Sequence, residues 1–239
     1  MVKINATNIK FDILNDKIRT ANDDVEISNC LGQRFIGAGI SNKNLKIRGT
    51  PGNALGAYLN GANIEVFGNV QDAVGDTMND GSIIVHGTIG DAAGYAMRGG
   101  KIFVKGNAGY RAGIHMKAYK EKVPVLVIGG TTGSFLGEYQ AGGVIIVLGI
   151  DAKKNIVGNF PCTGMHGGKV LLRSACENIS FPKNVNIKPA TKEDLDEVAV
   201  HIKDFCKYFG CDENKILNEK WTIVSPDSNN PYKQMYVQN

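Results

Sequence analysis

Four segments decide the fold: Leu45-Lys-Ile-Arg-Gly49, Ile64-Glu-Val-Phe-Gly68, Ile83-Ile-Val-His-Gly87 and Ile102-Phe-Val-Lys-Gly106, each nineteen residues after the last. A second glycine column follows at Gly56, Gly75, Gly94 and Gly113. Within each unit apolar residues alternate with long or polar ones, so each opens with a short strand that ends at a glycine. A strand of about five residues and a bend cannot bury an apolar face alone. Repeated at constant period, strand stacks on identical strand at ~4.8 Å, and inward positions become ladders of like residues. Leu59, Met78, Met97 and Met116 form one such column, and Ala54, Ala73 and Ala92 another. The interval is too short for a helix in each unit, and the Leu-x-x-Leu-x-Leu signature of leucine-rich repeats is absent. The reading is all-β, a parallel β-helix of about seven coils. Glycine recurs because the chain turns there with positive φ, or passes too close to the next coil for a Cβ.

The register loosens after Gly113, where residues 117–124 (Lys-Ala-Tyr-Lys-Glu-Lys-Val-Pro) look like a four-residue insertion. The pattern resumes at Val125, again at Val144 and weakly at Val170. Three segments follow: residues 1–24 as an N-terminal cap with a short helix over 11–21, 25–187 as the β-helix, and 188–239 as a C-terminal helix and extended tail. Open strand edges invite aggregation, so both ends of a stack need caps. Thr191 with Asp194 resembles a capping box. Leu195, Val198, Ile202, Phe205 and Phe209 then keep helical spacing up to Gly210, a C-cap residue.

The composition, 43% hydrophobic and 21% charged, is that of a globular protein. No apolar run approaches the ~20 residues of a membrane helix, and the start lacks a signal region, so the expected location is cytoplasmic. A net charge of +4 with mixed signs is too mild to indicate nucleic acid or a membrane surface. Five scattered cysteines read as reduced core residues.

Most candidate chemistry dissolves on inspection. Val125-Leu-Val-Ile-Gly129-Gly130 runs a strand into glycines, but it lacks Gly-x-Gly-x-x-Gly, the helix and the acidic residue of a nucleotide site. Asn53, Asp72 and Asp91 share a column. Stacked carboxylates repel unless paired or bound to a cation. The rival reading is Asp at a turn, hydrogen-bonding its own backbone. The four histidines lack zinc-ligand spacing, and Cys162 with His166 is a poor nucleophile pair. What remains is polar density on a few outward bends: Arg98, Tyr110, Arg111, His115, Lys117, Glu138, Tyr139 and His166. Arg and Tyr together favour a protein interface.

Gly68-Asn-Val-Gln-Asp-Ala-Val-Gly-Asp-Thr-Met78, Gly109-Tyr-Arg-Ala-Gly-Ile-His-Met-Lys117, Phe135-Leu-Gly-Glu-Tyr-Gln-Ala-Gly-Gly143 and Thr163-Gly-Met-His-Gly-Gly168 resemble the glycine-repeat (GXGXG) domain that closes the large subunit of glutamate synthase. The resemblance covers about residues 25–175, and Pro231-Tyr-Lys-Gln-Met-Tyr236 is also similar. It is closest to versions encoded as separate chains. A sister group, the C-type chain of formylmethanofuran dehydrogenase and of related formyl-transfer complexes, is similar in the repeat.

The resemblance implies a right-handed parallel β-helix that serves as a scaffold, without a catalytic centre of its own, in a multi-chain oxidoreductase of nitrogen metabolism. It would brace a glutaminase subunit against a flavin and iron–sulfur synthase subunit, with FMN and the cluster on the partner and no cofactor on this chain. The start Met1-Val2 lacks the N-terminal cysteine of the glutaminase part, and no cluster-ligand run of cysteines is present. The alternative is the C-type β-helix chain of a formyl-transfer complex. A third reading, an independent carbohydrate-active enzyme, would rest on Asp72 and Asp91. Self-association is left open.

Overall fold

Every coil contributes one strand to a single sheet. The computed structural model describes residues 1–153 and 155–227. The strands are β1 (Val2–Asn5), β2 (Val25–Leu31), β3 (Asn44–Thr50), β4 (Asn60–Phe67), β5 (Asp80–Val85), β6 (Lys101–Val104), β7 (Val125–Ile128), β8 (Ala141–Val147), β9 (Gly167–Leu172), β10 (Val185–Pro189) and β11 (Thr222–Pro226). From β1 to β9 they pair in chain order, all parallel. The result is a parallel β-solenoid of about eight turns, not about seven. The added turn is the first, from β1 to β2, which lies in the segment read as a cap and pairs Val2 with Val25, off the nineteen-residue interval. Ile102 pairs with Leu126, so the coil between β6 and β7 is five residues longer than nineteen, not four.

Two inward ladders form the core. One runs Val25, Leu45, Ile64, Ile83, Ile102, Leu126, Ile145 and Val170; the other runs Ile27, Ile47, Val66, Val85, Val104, Ile128, Val147 and Leu172. All are buried. β-branched residues dominate because they pack well on a pleated surface against identical neighbours.

The two glycine columns work differently. Gly68 has no positive φ, yet a Cβ there would lie 2.1 Å from the carbonyl oxygen of Gly49 on the preceding coil. Its column is fixed by close approach. Gly75, in the second column, has φ +67, the left-handed region.

A helix, α1 (Phe11–Thr20), lies at the N-terminal end, with Leu14 and Ile18 in the core. At the other end the chain is more elaborate than a single helix. Thr191 forms a true capping box with Asp194 and opens the short α2 (Lys192–Asp196). After a break at Glu197 and Val198 comes α3 (Ala199–Phe209), ended by Gly210 at φ 74. A one-turn α4 (Glu213–Leu217) leads into β11, which inserts antiparallel between β9 and β10. The stretch from Ser225 onward, read as an extended tail, thus begins inside a strand. Residues 228–239, with the motif at 231–236, lie outside the described residues.

The helices α2 to α4 cover the outer face of the sheet's second half. Phe205, Ile202, Val198 and Trp221 pack on Ile84, Phe103, Val127, Ile146 and Leu171. These strands are apolar on both faces because both are buried. An ion pair from Lys101 Nζ to Asp204 Oδ2, 3.1 Å, helps hold α3 to β6.

Candidate functional site

Opposite the sheet, each coil passes through a bend in which three alternate residues are left-handed. Arg111, Gly113 and His115 have φ of 57°, 73° and 55°; Phe135, Gly137 and Tyr139 have 64°, 62° and 52°. The same triple occurs at Ala54, Gly56, Tyr58, at Ala73, Gly75, Thr77 and at Ala92, Gly94, Ala96. A left-handed conformation costs a non-glycine residue roughly 1–2 kcal/mol. Hydrogen bonds to both neighbouring coils hold it: the Arg111 N–H donates to Ser134 O at 2.9 Å, Gly113 to Ala93 O at 2.7 Å and His115 to Glu138 O at 2.9 Å. The outer members of each triple are thereby set in parallel columns along the rod.

In the middle coils the first of those columns carries Ala54, Ala73 and Ala92, between Phe35 of the first coil and Arg111, while the second carries Tyr58, Thr77 and Ala96. In the later coils they carry Arg111, His115, Phe135, Tyr139 and Phe160. His115 stacks on Tyr139 with centroids 5.2 Å apart and planes 10° from parallel, and Tyr95 meets His115 edge-on at 5.9 Å. The Arg111 guanidinium lies 5.0 Å from the Phe135 ring centroid, and its Nε is 3.2 Å from Glu138 Oε2. Phe135 stacks on Phe160 at 5.3 Å. Phe160 and Tyr139 remain 60% and 46% exposed. Of the residues named from sequence, then, His115 joins Tyr139 and Arg111 joins Glu138.

Arg98 and Lys117 stand four residues after Gly94 and Gly113, at equivalent positions on consecutive coils: their N–H groups donate to Met78 O and Met97 O. His166 stands in that same column two coils later, beyond Ala141, its Nδ1 3.1 Å from Gly164 O. Tyr110 is exposed, and its N–H donates to Asp91 Oδ1 at 2.8 Å.

Sequence reasoning did not single out Phe160. The glycine that would mark its position is replaced by Cys162, which keeps the left-handed conformation at φ 61. Cys162 is buried in the core, which pushes its thiol up to about 12.

The acidic column is structural in this geometry. Asp72 Oδ1 accepts from the Asp91 N–H at 2.9 Å, as Asn53 Oδ1 accepts from the Asp72 N–H at 3.2 Å. The acceptors bridge to the next coil and not to their own turn. Asn69 and Asn107 do the same for Thr88 and Thr131. Among the described residues no three His, Cys, Asp or Glu side chains converge as metal ligands. The glycines after β7 are filled from the coil below: a Cβ on Gly130 would lie 2.1 Å from Asn107 Oδ1. Among the described residues no helix is long and apolar enough to cross a membrane.

The class that fold and site define is a β-solenoid with a rigid, decorated turn face. The model of the GXGXG motif family matches residues 3–228, and the chain belongs to that family. It is 46% identical to the uncharacterized protein MJ1350 of Methanocaldococcus jannaschii, over 99% of this chain and 96% of that one. Among solved structures, a chain of the formyltransferase/hydrolase complex (FhcABCD) from Methylorubrum extorquens, determined with methylofuran, superposes with a TM-score of 0.64. The match covers 95% of this chain and 91% of that one at 18% identity, a likeness of fold.

Proposed function

We propose that this chain is a scaffold subunit of a multi-subunit enzyme and carries no catalytic centre of its own. The observation that carries this reading is the later turn face. Arg111, His115, Tyr139 and Phe160 are held outward by strained backbone that the solenoid over-determines, and Arg with exposed aromatic rings is interface chemistry. The interior is packed with apolar ladders and the acidic column is spent on backbone bonds, so the functional surface is the outside. A rigid rod suits such work, because holding reacting centres in fixed relation lowers the entropic part of a barrier.

The first reading of the enzyme is glutamate synthase, supported by the four motif segments. The partners would then be a glutaminase subunit and a flavin and iron–sulfur subunit. The second is a formyl-transfer complex, supported by the chain-length likeness to a subunit of the Methylorubrum assembly. The test is affinity capture of the tagged chain from its host's lysate. An eluate with flavin and iron–sulfur absorbance that forms glutamate from glutamine and 2-oxoglutarate establishes the first. An eluate that transfers formyl groups without forming glutamate establishes the second. A chain that elutes alone refutes the scaffold.

A further inference from the structure

Not all charges on the turn face are available to a partner. Arg111 is committed to Glu138, and Lys122 to Asp80 at 2.8 Å. Asp91 accepts from the Tyr110 backbone. Arg98, Lys117 and Lys120, by contrast, make no ion pair among the described residues. Arg98 and Lys117 occupy equivalent positions on consecutive coils, where the two preceding coils carry the neutral Asn60 and Asn79. Like charges placed directly opposite across paired coils destabilise the free chain. Among the described residues no carboxylate pairs with either; Glu121, next to Lys120 in the chain, is exposed. Beside this column stand the His115–Tyr139 stack and the exposed rings of Tyr95 and Tyr119, the last with Lys120 Nζ 5.3 Å from its centroid.

We infer that this surface takes an acidic polypeptide segment of the partner, laid along the Arg98–Lys117 column with apolar or aromatic side chains on the tyrosine rings. The inference rests on the scaffold reading and narrows it. Charge complementarity names the occupant: two stacked cations and a third on the adjacent loop, unpaired among the described residues, beside ring surfaces typical of protein contacts. Three cations are few for a nucleic-acid backbone, whose binding grows with the number of phosphates neutralised.

The test uses the full chain and a fluorescein-labelled oligoglutamate peptide with interspersed tyrosines, read by anisotropy at low ionic strength. Wild type should bind it, and R98E/K117E should weaken binding by about tenfold or more. K203E/K207E makes the same charge change at exposed positions of α3, on the outer side of the sheet, and should leave binding within about twofold. R98Q/K117Q keeps the test valid should the reversal fail to fold. No peptide binding by wild type, or equal losses in both double variants, overturns the inference. Tighter binding of a single-stranded oligonucleotide, sensitive to the same substitutions, overturns it in favour of nucleic acid. Lysate capture separates the two levels. A partner held equally by wild type and R98E/K117E overturns the acidic-segment inference alone, whereas no partner on wild type overturns the scaffold reading.

Discussion

The two halves of the sheet share one backbone and differ in what lies on its outer face. Along one outward column the pairing runs Lys3, Glu26, Lys46, Glu65, and then Ile84, Phe103, Val127, Ile146, Leu171. The first four alternate in sign, a favourable cross-strand arrangement in water. The next five are buried beneath α2 to α4. The turn face is not divided the same way: its column runs Phe35, Ala54, Ala73, Ala92, Arg111, Phe135 and Phe160, small in the middle and large at both ends. A repeat can therefore specify its coils uniformly while delegating the outside, coil by coil, to water, to its own helices or to a partner.

The sharpest way to break this comparison is within that one column. Phe103→Ala removes a fully buried ring between sheet and helix and should cost about 3–5 kcal/mol in chemical denaturation. A cost below about 1 kcal/mol would mean that the helices do not seal the second half.

Alkaline titration comes next. Cys30, in the first coil, and Cys162, in a late one, have thiols pushed up by burial, to about 11 and about 12. Unfolded thiols ionise near pH 9 while the folded ones stay neutral, so stability is intact below about pH 9 and falls as pH rises toward the folded values. Each thiol should cost about tenfold in the folding constant per pH unit over that window, with Cys162 continuing after Cys30 has levelled off. Denaturation midpoints of Cys30→Ala and Cys162→Ala against pH check this. Identical slopes in wild type and both variants would contradict it.

A smaller effect belongs to the cap of the covering helices. Thr191→Ala removes the hydroxyl that accepts from the Asp194 N–H at 3.2 Å and should cost about 1 kcal/mol. Hydrogen exchange should place the loss in α2 and α3, leaving β2 to β4 unchanged. Smallest of all is Lys46→Ala, the solvated counterpart of Phe103, expected within about 0.5 kcal/mol of wild type. If it matches the loss at Phe103, the contrast between the halves is wrong.

Much of the fold was readable because each strand's neighbours are its own repeats. The nineteen-residue columns name the inward ladders directly, and Gly210 marks a helix end by its chemistry. The hairpin of β10 and β11 was not readable. Val185 pairs with Pro226, some forty residues away, and nothing in Val185-Asn-Ile-Lys-Pro189 matches the repeat. The single helix expected over 195–209 is split, since periodicity reports a buried face and not continuity of the backbone. On the turn face, Arg111, His115 and Tyr139 were legible as polar side chains crowded on outward bends. Phe160 was not, because an apolar ring adds nothing to polar density.

By itself the sequence determined the coil: its length, its inward ladders, its corners and the outward turn residues. Those properties rest on local alternation and on like residues at a fixed interval, both visible in one dimension. The tertiary structure decided which stretch of the sheet stays wet and which charges stay unpaired. Lys101 meets Asp204 across 103 residues. No periodicity records that meeting, because it depends on where a non-repeating segment folds back. That return of the chain separates a buried second half of the sheet from a solvated first.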